Sequence, residues 1–591
     1  MEKLNYKINQ RAADVARRLK KIIDFHELIN VSNVSEFCLA YDIVFKWNKE
    51  SCKIVFGEDE SQLSSSMKLK LRKMFAGIKT EEETKLSKIN NFNKALFKFC
   101  GNVLDDELLA KNNIYGPLST YRAYYFKKEF REALNNYFKE SKFYDFFLLY
   151  FKSSKRPIGE AIRCFKKLKE FCASLEPVGS LLRFEEMVYP LELVLKNNLN
   201  FQNINWKNFK YLYETNFYIL LYDTENQMEV KIYLINKNFV TQKWFLSGTL
   251  RHNEIFIDLA RQNFKSFEVF QHNFFIDNKQ LEVNSEKDLY EKLGFNYIYP
   301  ELRCGGCEFF KNKEELNIVK FSDIKSDLHV HTNFSDGGNS IEELVDFYIS
   351  KGYQYIVLTD HSVSLSQGRG LDIDKLMEKN DLIDRLNKNI KNFKIFKGAE
   401  VDILEDGSLD YPDLILENLD FVIASIHLNY DLDKNAMTSR LERAIKNPYV
   451  HMIGHISGRL VGFLPIYSVD LERLLKLASE YKTIIEINGN PARLDLDSSS
   501  IKLYKDRFKN LYAVNTDLHN IKQFNTRFYC SVMTARKSYL RKNDIINSLD
   551  LDEFENLIKT IRSEKLMKKK ILFFKKEGLM IFFIKRGKRV F

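Results

Sequence analysis

Histidines are concentrated toward the end of this 591-residue sequence, where seven of the ten lie beyond residue 325. His329 and His331 are two residues apart, as are Asp517 and His519, so on an extended chain the members of each pair point to the same side. Imidazoles mixed with carboxylates are typical ligands of zinc, manganese or iron, rather than of magnesium or calcium alone. This part of the chain is therefore where we expect metal or acid–base chemistry.

The elements that must position these residues are short apolar segments that read as β-strands. They are DLHVH, YIVLTDH, IFKGAE, FVIASIH, HMIGH, TIIEIN and YAVNTDLH. Helical patterns separate most of them. Repeated strand–helix units indicate parallel strands, and seven strands predict a closed or nearly closed α/β barrel over about residues 319–565.

The carboxyl ends of all strands meet at one face of such a barrel, so residues distant in sequence converge there. We expect six histidines and three carboxylates at this mouth, namely His329, His331, Asp336, His361, Glu400, His427, His455, Asp517 and His519. Burying these groups without partners would cost roughly 1–3 kcal/mol each. Nine ligands exceed what one tetrahedral or octahedral ion needs, so we expect two or three divalent transition metals, zinc or manganese or both.

The motifs HVHTNFSDG, TDHS, GAEVDI, SIH, GHISGR and NTDLH, in this order, resemble those of the PHP (polymerase and histidinol phosphatase) family across residues 325–550. The resemblance implies a distorted seven-stranded barrel, with the same nine residues as ligands of a trinuclear site. Such a site lowers the pKa of a bound water and polarises a phosphoryl oxygen, which implies phosphoester hydrolysis. Arg459 and Arg493 are either phosphate clamps or surface arginines.

The front half resembles bacterial-type DNA polymerase X. The segment GSLLRFEEMVYPLELVL is similar to the palm motif of that family, and LSGTLRHNEIFIDLA is similar to its thumb motif. The resemblance implies that a deoxynucleoside triphosphate and a primer terminus contact the matching positions Gly179, Ser180, Arg183, Gly248, Arg251 and Asn253. It also implies DNA as the partner, as a primer terminus or a gapped duplex, with magnesium or manganese in an active palm.

The palm departs from that family where its catalytic aspartates are expected. Those positions fall on Pro190, Glu192 and Glu229. Two-metal nucleotidyl transfer needs carboxylates that bridge both ions; glutamate reaches one methylene further, and proline cannot ligate. Each 1.4 kcal/mol lost from transition-state binding slows the reaction about tenfold, so the sequence predicts weak or absent polymerisation. The family also carries helix-hairpin-helix turns that hold DNA phosphates. The best candidate for such a turn here keeps only Gly116, which is followed by Pro117; a simple helix start is the alternative interpretation.

The predicted fold is multidomain, with α+β parts followed by an α/β barrel. The segments are a helical N-terminal domain (1–95), a helical fingers-like region (96–155), a palm-like domain (156–240), a thumb-like region and linker (241–318), the PHP barrel (319–565) and a basic tail (566–591). Cys304 and Cys307 have the spacing of half a zinc or redox site, although a plain linker is the alternative interpretation.

Composition limits where the protein acts. The net charge of +11 is compatible with a polyanionic partner. The eight cysteines are scattered, which is typical of a reduced protein, and the longest apolar runs are too short to cross a bilayer. We therefore expect a cytoplasmic monomer with no membrane partner.

The leading hypothesis is a DNA polymerase X-type protein that acts in DNA repair. Its PHP barrel would serve as a metal-dependent 3′–5′ exonuclease or 3′-end phosphoesterase. Three alternatives stay open. The palm could still fill gaps through Glu192 and Glu229, residues 1–318 could be a scaffold that only delivers substrate, or the barrel could be a small-molecule phosphatase.

Overall fold

The computed structural model describes residues 155–576 apart from 197–207, 215–216, 236, 271 and 366–367, together with 584–585 and 588–589. The predicted helical domain (1–95), nearly all of the fingers-like region and the candidate turn at Gly116 lie outside the described residues. The residues described from Lys155 onward belong to one compact unit.

A mixed five-stranded sheet forms the palm-like part. Its elements are β1 (Arg156–Pro157), α1 (Ile158–Phe171), β2 (Glu176–Pro177), α2 (Gly179–Leu182), β3 (Met187–Val188), β4 (Leu191–Lys196), β5 (Phe209–Glu214), β6 (Tyr218–Asp223) and β7 (Met228–Ile235). The strand order is β2-β4-β7-β6-β5, with β4 and β7 parallel. Burial alternates along β7, so Val230 faces the core beneath α1 while Glu229 and Lys231 lie on the opposite face.

The thumb-like part follows, and its aromatic core surrounds the buried Trp244. Its elements are α3 (Phe239–Ser247), α4 (Leu250–Asn263), β8 (Phe267–Phe270), β9 (Asn273–Ile276), β10 (Lys279–Gln280) and α5 (Glu286–Lys292). The side chain of Thr249 caps the start of α4 by accepting a hydrogen bond from the backbone of His252. The order β10-β9-β8 makes a small antiparallel sheet.

The segment around Cys304 and Cys307 is packed against this thumb core rather than loosely tethered. Arg303 is fully buried and pairs with Glu286 at 2.5 Å. Glu308 is also buried and accepts a hydrogen bond from the backbone of Gly306. Within the described part of the chain, the groups of residues that could hold a metal do not include either cysteine.

The third part is a barrel of seven parallel strands in sequence order. Its elements are β11 (Ser326–Val330), α6 (Ile341–Ser350), β12 (Tyr355–Leu358), α7 (Ile373–Asn389), β13 (Lys394–Asp402), α8 (Asp413–Glu417), β14 (Phe421–Ser425), α9 (Lys434–Lys446), β15 (Met452–Ile453), α10 (Leu471–Tyr481), β16 (Ile484–Asn488), α11 (Ser498–Tyr504), β17 (Tyr512–Asn515), α12 (Phe524–Lys537), α13 (Leu551–Lys576), β18 (Ile584–Lys585) and β19 (Lys588–Arg589). The predicted seven-stranded barrel is confirmed.

Two backbone hydrogen bonds close the barrel between its first and last strands. The amide of His331 donates to the carbonyl of Leu518 at 2.9 Å, and the amide of Leu518 donates to the carbonyl of His329 at 3.1 Å. At the opposite end, α13 covers the barrel interior with Phe554 and Ile558 and extends into the predicted basic tail. No helix in the described ranges is long and apolar enough to cross a membrane.

The palm and the barrel share one apolar core. The barrel contributes Val461, Leu494, Cys530 and Met533 to the cluster that packs beneath the palm sheet. Lys537, at the end of α12, donates to the backbone carbonyls of Arg183 at 3.1 Å and Phe184 at 2.9 Å. The barrel therefore holds the turn that begins the palm motif.

Candidate metal centre

Glu400, on β13, lies at the centre of the barrel mouth and is fully buried. Five imidazole nitrogens surround its two carboxylate oxygens, at 3.2 Å for His329, 3.5 Å for His331, 3.0 Å for His361, 3.4 Å for His427 and 3.0 Å for His455. These histidines come from the carboxyl ends of four other strands. The sequence prediction that they converge is met by the geometry.

Asp336, Asp517 and His519 extend this cluster toward solvent. An Asp517 oxygen lies 3.3 Å from Nε2 of His331, and an Asp336 oxygen lies 3.3 Å from Nε2 of His519. Potential ligand atoms lie within 4.8 Å of one another in three groups: His331 with Asp336, His361 and His519; His329 with His331 and Glu400; and His361 with Glu400 and His427. Shared residues join the groups, which is the arrangement that neighbouring ions need.

Two of the predicted ligands have strained backbones. His455 has φ of 27° and Asp517 has φ of 51°, in the left-handed region that costs a non-glycine residue about 1–3 kcal/mol. The amide of His455 donates to Glu486 at 2.8 Å. Leu518, which follows Asp517, forms the two backbone hydrogen bonds that close the barrel. The surrounding structure therefore fixes both side chains toward the mouth.

The fit to metal ions can be judged from buried polar atoms without hydrogen-bond partners. They are Nε2 of His329, both ring nitrogens of His331, Nδ1 of His361, Nδ1 of His455 and Oε2 of Glu400. Several lie within 3.5 Å of another ligand atom but are not aligned for a hydrogen bond. Buried groups left in this state are costly, and cations in the space between them would satisfy them. The donor set fits divalent transition metals.

The electrostatics of the cluster differ from ring to ring. Burial opposes protonation of His329, His427 and His519, but nearby carboxylates raise the pKa of each, that of His427 to about 10, so bound ions would displace protons from these rings. Burial disfavours ionisation of Glu400, but His329 and His427 hold the pKa of this carboxyl well below its usual range. Burial, together with the nearby His519 and His361, lowers the pKa of His331 to about 3. At neutral pH, Glu400 is therefore anionic and His331 is a neutral imidazole with a lone pair to donate.

The two candidate phosphate clamps have different surroundings. Arg459 pairs with Glu186 of the palm at 2.7 Å and donates to the backbone carbonyl of Arg493 at 2.9 Å. It therefore joins the palm to the barrel. Arg493 is half-buried, and its positive charge opposes the rise that burial causes in the pKa of Tyr430. A phosphate contact stays a prediction for Arg493.

In the palm, two of the three positions expected to hold catalytic aspartates carry glutamates. Glu192 on β4 lies beside Lys231 in the parallel register, and Tyr233 donates to Glu192 at 2.8 Å. Glu229 is two residues before Lys231 and therefore on the same face of the sheet. Burial raises the pKa of Glu229, which weakens it as an anionic ligand.

Only some of the residues that match the nucleotide motifs lie close together. Gly179 has φ of 59°, and a Cβ there would collide with the carboxylate of Glu192, which occupies the space beside the turn. Ser180 follows in α2, and Arg183 donates to the carbonyl of Gly248 at 3.3 Å, joining the two motifs. Arg251 and Asn253 differ in exposure. The side chain of Arg251 is 68% exposed, while that of Asn253 is buried and donates to the carbonyl of Phe245.

Comparison with known proteins agrees with both halves of this description. Residues 327–490 match the PHP domain family. The DNA polymerase/3'-5' exonuclease PolX of Bacillus subtilis is 31% identical over 417 residues, which cover 68% of this chain and 73% of that protein. The chain belongs to the DNA polymerase X family.

Other relatives match a shorter part of this DNA polymerase X. A probable phosphatase of Thermoanaerobacter sp. is 38% identical over 175 residues, covering 28% of this chain and 64% of that protein. Among solved structures, histidinol phosphate phosphatase from Lactococcus lactis, complexed with zinc, L-histidinol and phosphate, has a TM-score of 0.29 at 17% identity, covering 37% of this chain and 94% of that one. A score this low is uninformative about the fold.

Two carboxylates that contact predicted ligands of this DNA polymerase X were not predicted from the sequence. Glu486 lies 2.6 Å from Nδ1 of His329, and Asp402 lies 3.0 Å from Nδ1 of His427. Such partners orient a ligating imidazole and raise its basicity. The signals were present: Glu486 interrupts the apolar strand TIIEIN, and Asp402 follows Glu400 at a spacing of two.

Proposed function

We propose that this DNA polymerase X works mainly through its barrel, as a metal-dependent 3′–5′ exonuclease or 3′-end phosphoesterase in DNA repair. The observation that supports this is the contrast between the two halves: nine predicted ligands converge at the barrel mouth, seven of them in three groups that could hold a metal, whereas the palm carries Pro190, Glu192 and Glu229 where the resemblance expects aspartates. The proposal includes zinc or manganese as the ions, a DNA end as substrate and a monomer in the cytoplasm.

The three overlapping groups of ligands would hold two or three ions. The first is formed by His329, His331 and Glu400, and the second by His361, Glu400 and His427. The third adds Asp336 and His519 to His331 and His361, and each of these two added side chains is 27% exposed. Such ions supply an activated water and stabilise the charge that develops on a phosphoryl group in an in-line displacement.

The residues of the chain then have separate tasks. Asp336 and His519 form the solvent-facing rim, so a phosphoester would enter beside them. Arg493 would donate to a non-bridging phosphate oxygen and orient the ester. Glu486 and Asp402 would hold the imidazoles of His329 and His427 in place. Of the remaining predicted ligands, all but His427 are buried, and the side chain of His427 is only 10% exposed, which limits the access of bulk water to the reacting atoms.

DNA synthesis by the palm is expected to be weak or absent. Pro190 supplies no ligand, and the carboxylate of Glu192 lies against Gly179, where the family resemblance expects a triphosphate. A negative charge there repels phosphate. The alternative, gap filling through Glu192 and Glu229, draws support from the two acids being on one face of the sheet, and it predicts extension of a gapped primer that Glu192→Ala abolishes.

The test uses the full-length protein, manganese and a 5′-labelled primer on a gapped duplex, with and without deoxynucleotides. We expect shortening of the primer from its 3′ end and little extension. His329→Ala should reduce shortening by at least about a hundredfold, because it removes a ligand shared by the cluster. His272→Ala, an exposed histidine of the thumb, is the matched control. Equal shortening by the wild type and His329→Ala would refute the proposal.

A further inference from the structure

A cleft of about 500 Å³ lies between the palm and the barrel. One wall is α1, which contributes Glu160 and Arg163; the other is formed by the loops that follow β15, β16 and β17, with Phe463, Asn490 and Lys522 among its residues. The loop after β15 also carries His455, and the loop after β17 carries Asp517 and His519. The cleft therefore opens on the same face as the candidate metal centre.

Arg527 connects the cleft to that centre. It lines the cleft, and its guanidinium lies 3.6 Å from the carboxylate of Asp517. The same group donates to the backbone carbonyls of Thr516, at 3.1 Å, and Asp517. The floor of the cleft is thus one side chain away from a predicted metal ligand.

The rim of the cleft carries an exposed aromatic side chain on a well-supported turn. Phe463 is 73% exposed, although the turn that carries it is closed by a hydrogen bond from the amide of Leu460 to the carbonyl of Leu464. Gly462 in this turn packs against Pro157 and Met187 of the palm. A fixed, solvent-facing ring beside a cleft is a platform on which a nucleic-acid base can stack.

The charges in the cleft favour a polyanion. Arg163, Lys522 and Arg527 contribute three positive charges against the single carboxylate of Glu160, which lies 3.9 Å from Arg156. Among the residues that the structure describes, Arg163 and Lys522 form no ion pair. Cationic side chains alternating with an aromatic ring are typical of sites that bind single-stranded nucleic acid.

We propose that this cleft binds the unpaired 3′ end of a DNA strand and delivers it to the barrel. A base stacks on Phe463, and Arg163 and Lys522 contact the backbone phosphates behind the last nucleotide. The terminal phosphodiester then passes Arg527 to reach the metal centre. This inference rests on the proposed function, because it assigns the binding surface for the substrate of that site.

The experiment compares Phe463→Ala and Lys522→Glu with two matched controls on the full-length protein. Phe573→Ala and Lys559→Glu make the same changes at exposed positions on α13, which covers the opposite end of the barrel. The first readout is binding of a fluorescent oligonucleotide with about six unpaired 3′ nucleotides, measured without catalysis in the presence of EDTA. The second is the KM for degradation of that strand with manganese, beside hydrolysis of bis(p-nitrophenyl) phosphate.

We expect each cleft variant to weaken oligonucleotide binding and raise KM by at least about fivefold, while the control variants match the wild type. Hydrolysis of the small ester, which needs no strand contact, should stay within about twofold. Lys522→Glu should also make binding less dependent on salt.

Oligonucleotide binding by both cleft variants at the wild-type level would overturn the inference, whether or not the wild type degrades DNA. Failure of the wild type to hydrolyse either substrate would instead overturn the proposed function. In that result, the binding measurement would still decide whether the cleft holds a strand.

Discussion

Nδ1 of His329 lies 2.6 Å from Oε1 of Glu486, on the side of the ring away from Glu400. Both side chains are fully buried. In the neutral ring, this hydrogen bond places the proton on Nδ1 and makes Nε2 the atom that a metal ion in the cluster would meet. Glu486 also accepts from the amide of His455, so one carboxylate orients two predicted ligands.

The first prediction concerns this carboxylate. Glu486→Gln keeps the shape of the side chain but removes its charge, so His329 becomes a weaker and less well oriented ligand. We expect the manganese concentration needed for half-maximal activity to rise about 10–100-fold. Glu555→Gln, which changes a carboxylate on α13 paired with Lys394, is the control. An unchanged manganese requirement in Glu486→Gln would show that the hydrogen bond has no part in metal binding.

The second prediction separates the two arginines near the mouth. Arg493→Ala should raise the KM for a phosphodiester about tenfold or more with little change in thermal stability, because a charge-assisted hydrogen bond to phosphate is lost. Arg459→Ala should instead leave KM nearly unchanged and lower the stability of the protein. It breaks the partly buried pair with Glu186 and should lower stability by about 1–2 kcal/mol. KM and the unfolding midpoint of each variant check this, and the opposite pattern would exchange the two assignments.

The convergence of the nine candidate ligands could be predicted from the sequence because of how the barrel is built. A run of apolar residues that ends in a histidine or an acid marks both a strand and its carboxyl end, and parallel strands bring those ends together. Glu486 and Arg459 were not predictable in the same way. The partner of each lies far away in the chain, at His329 and Glu186, so only the folded structure shows which polar group each one meets.

The third prediction concerns metal removal. Ions that bind only the native protein stabilise it, and a concentration of about 100 times the dissociation constant contributes about 2.7 kcal/mol. Treatment with a chelator should therefore lower the unfolding temperature, and added manganese or zinc should restore it. His329→Ala removes one ligand of the first group only, so its unfolding temperature should fall less on chelation than that of the wild type. An unfolding temperature of the wild type that does not respond to chelator would contradict a loaded centre.

The fourth prediction concerns the thumb, where His252 is fully buried between Glu308 and Tyr290. Burial lowers the pKa of His252 below its ordinary value of 6.5, although Glu308 opposes this. Below pH 6.5 the unfolded chain binds a proton that the native imidazole does not, so stability falls with acidification. The slope from this group approaches about 1.4 kcal/mol per pH unit at most.

Comparison with His252→Gln isolates this effect. The variant should be less stable than the wild type at pH 7.5, because it disturbs a buried hydrogen-bond pair, and the difference should shrink toward pH 5.5. Urea denaturation at several pH values measures it. A difference that stays constant across this range would mean that the native and unfolded states share the same pKa for His252.

The neighbours of this histidine in the thumb motif have different surroundings. Arg251, His252 and Asn253 are consecutive, and the resemblance implies contacts of Arg251 and Asn253 with nucleotide and primer. In the folded thumb, the helical period turns Arg251 to solvent and His252 into the core. Burial of the side chains of α4 depends on Trp244 and Tyr290, which lie on other helices.

The apolar cluster shared by the palm and the barrel makes the stability of each part depend on the other. A barrel released at residue 318 would expose Val461, Leu494 and Met533 to water, as well as the unpaired ammonium of Lys537. Such a fragment would tend to aggregate. The palm therefore covers apolar surface of the barrel whether or not it synthesises DNA.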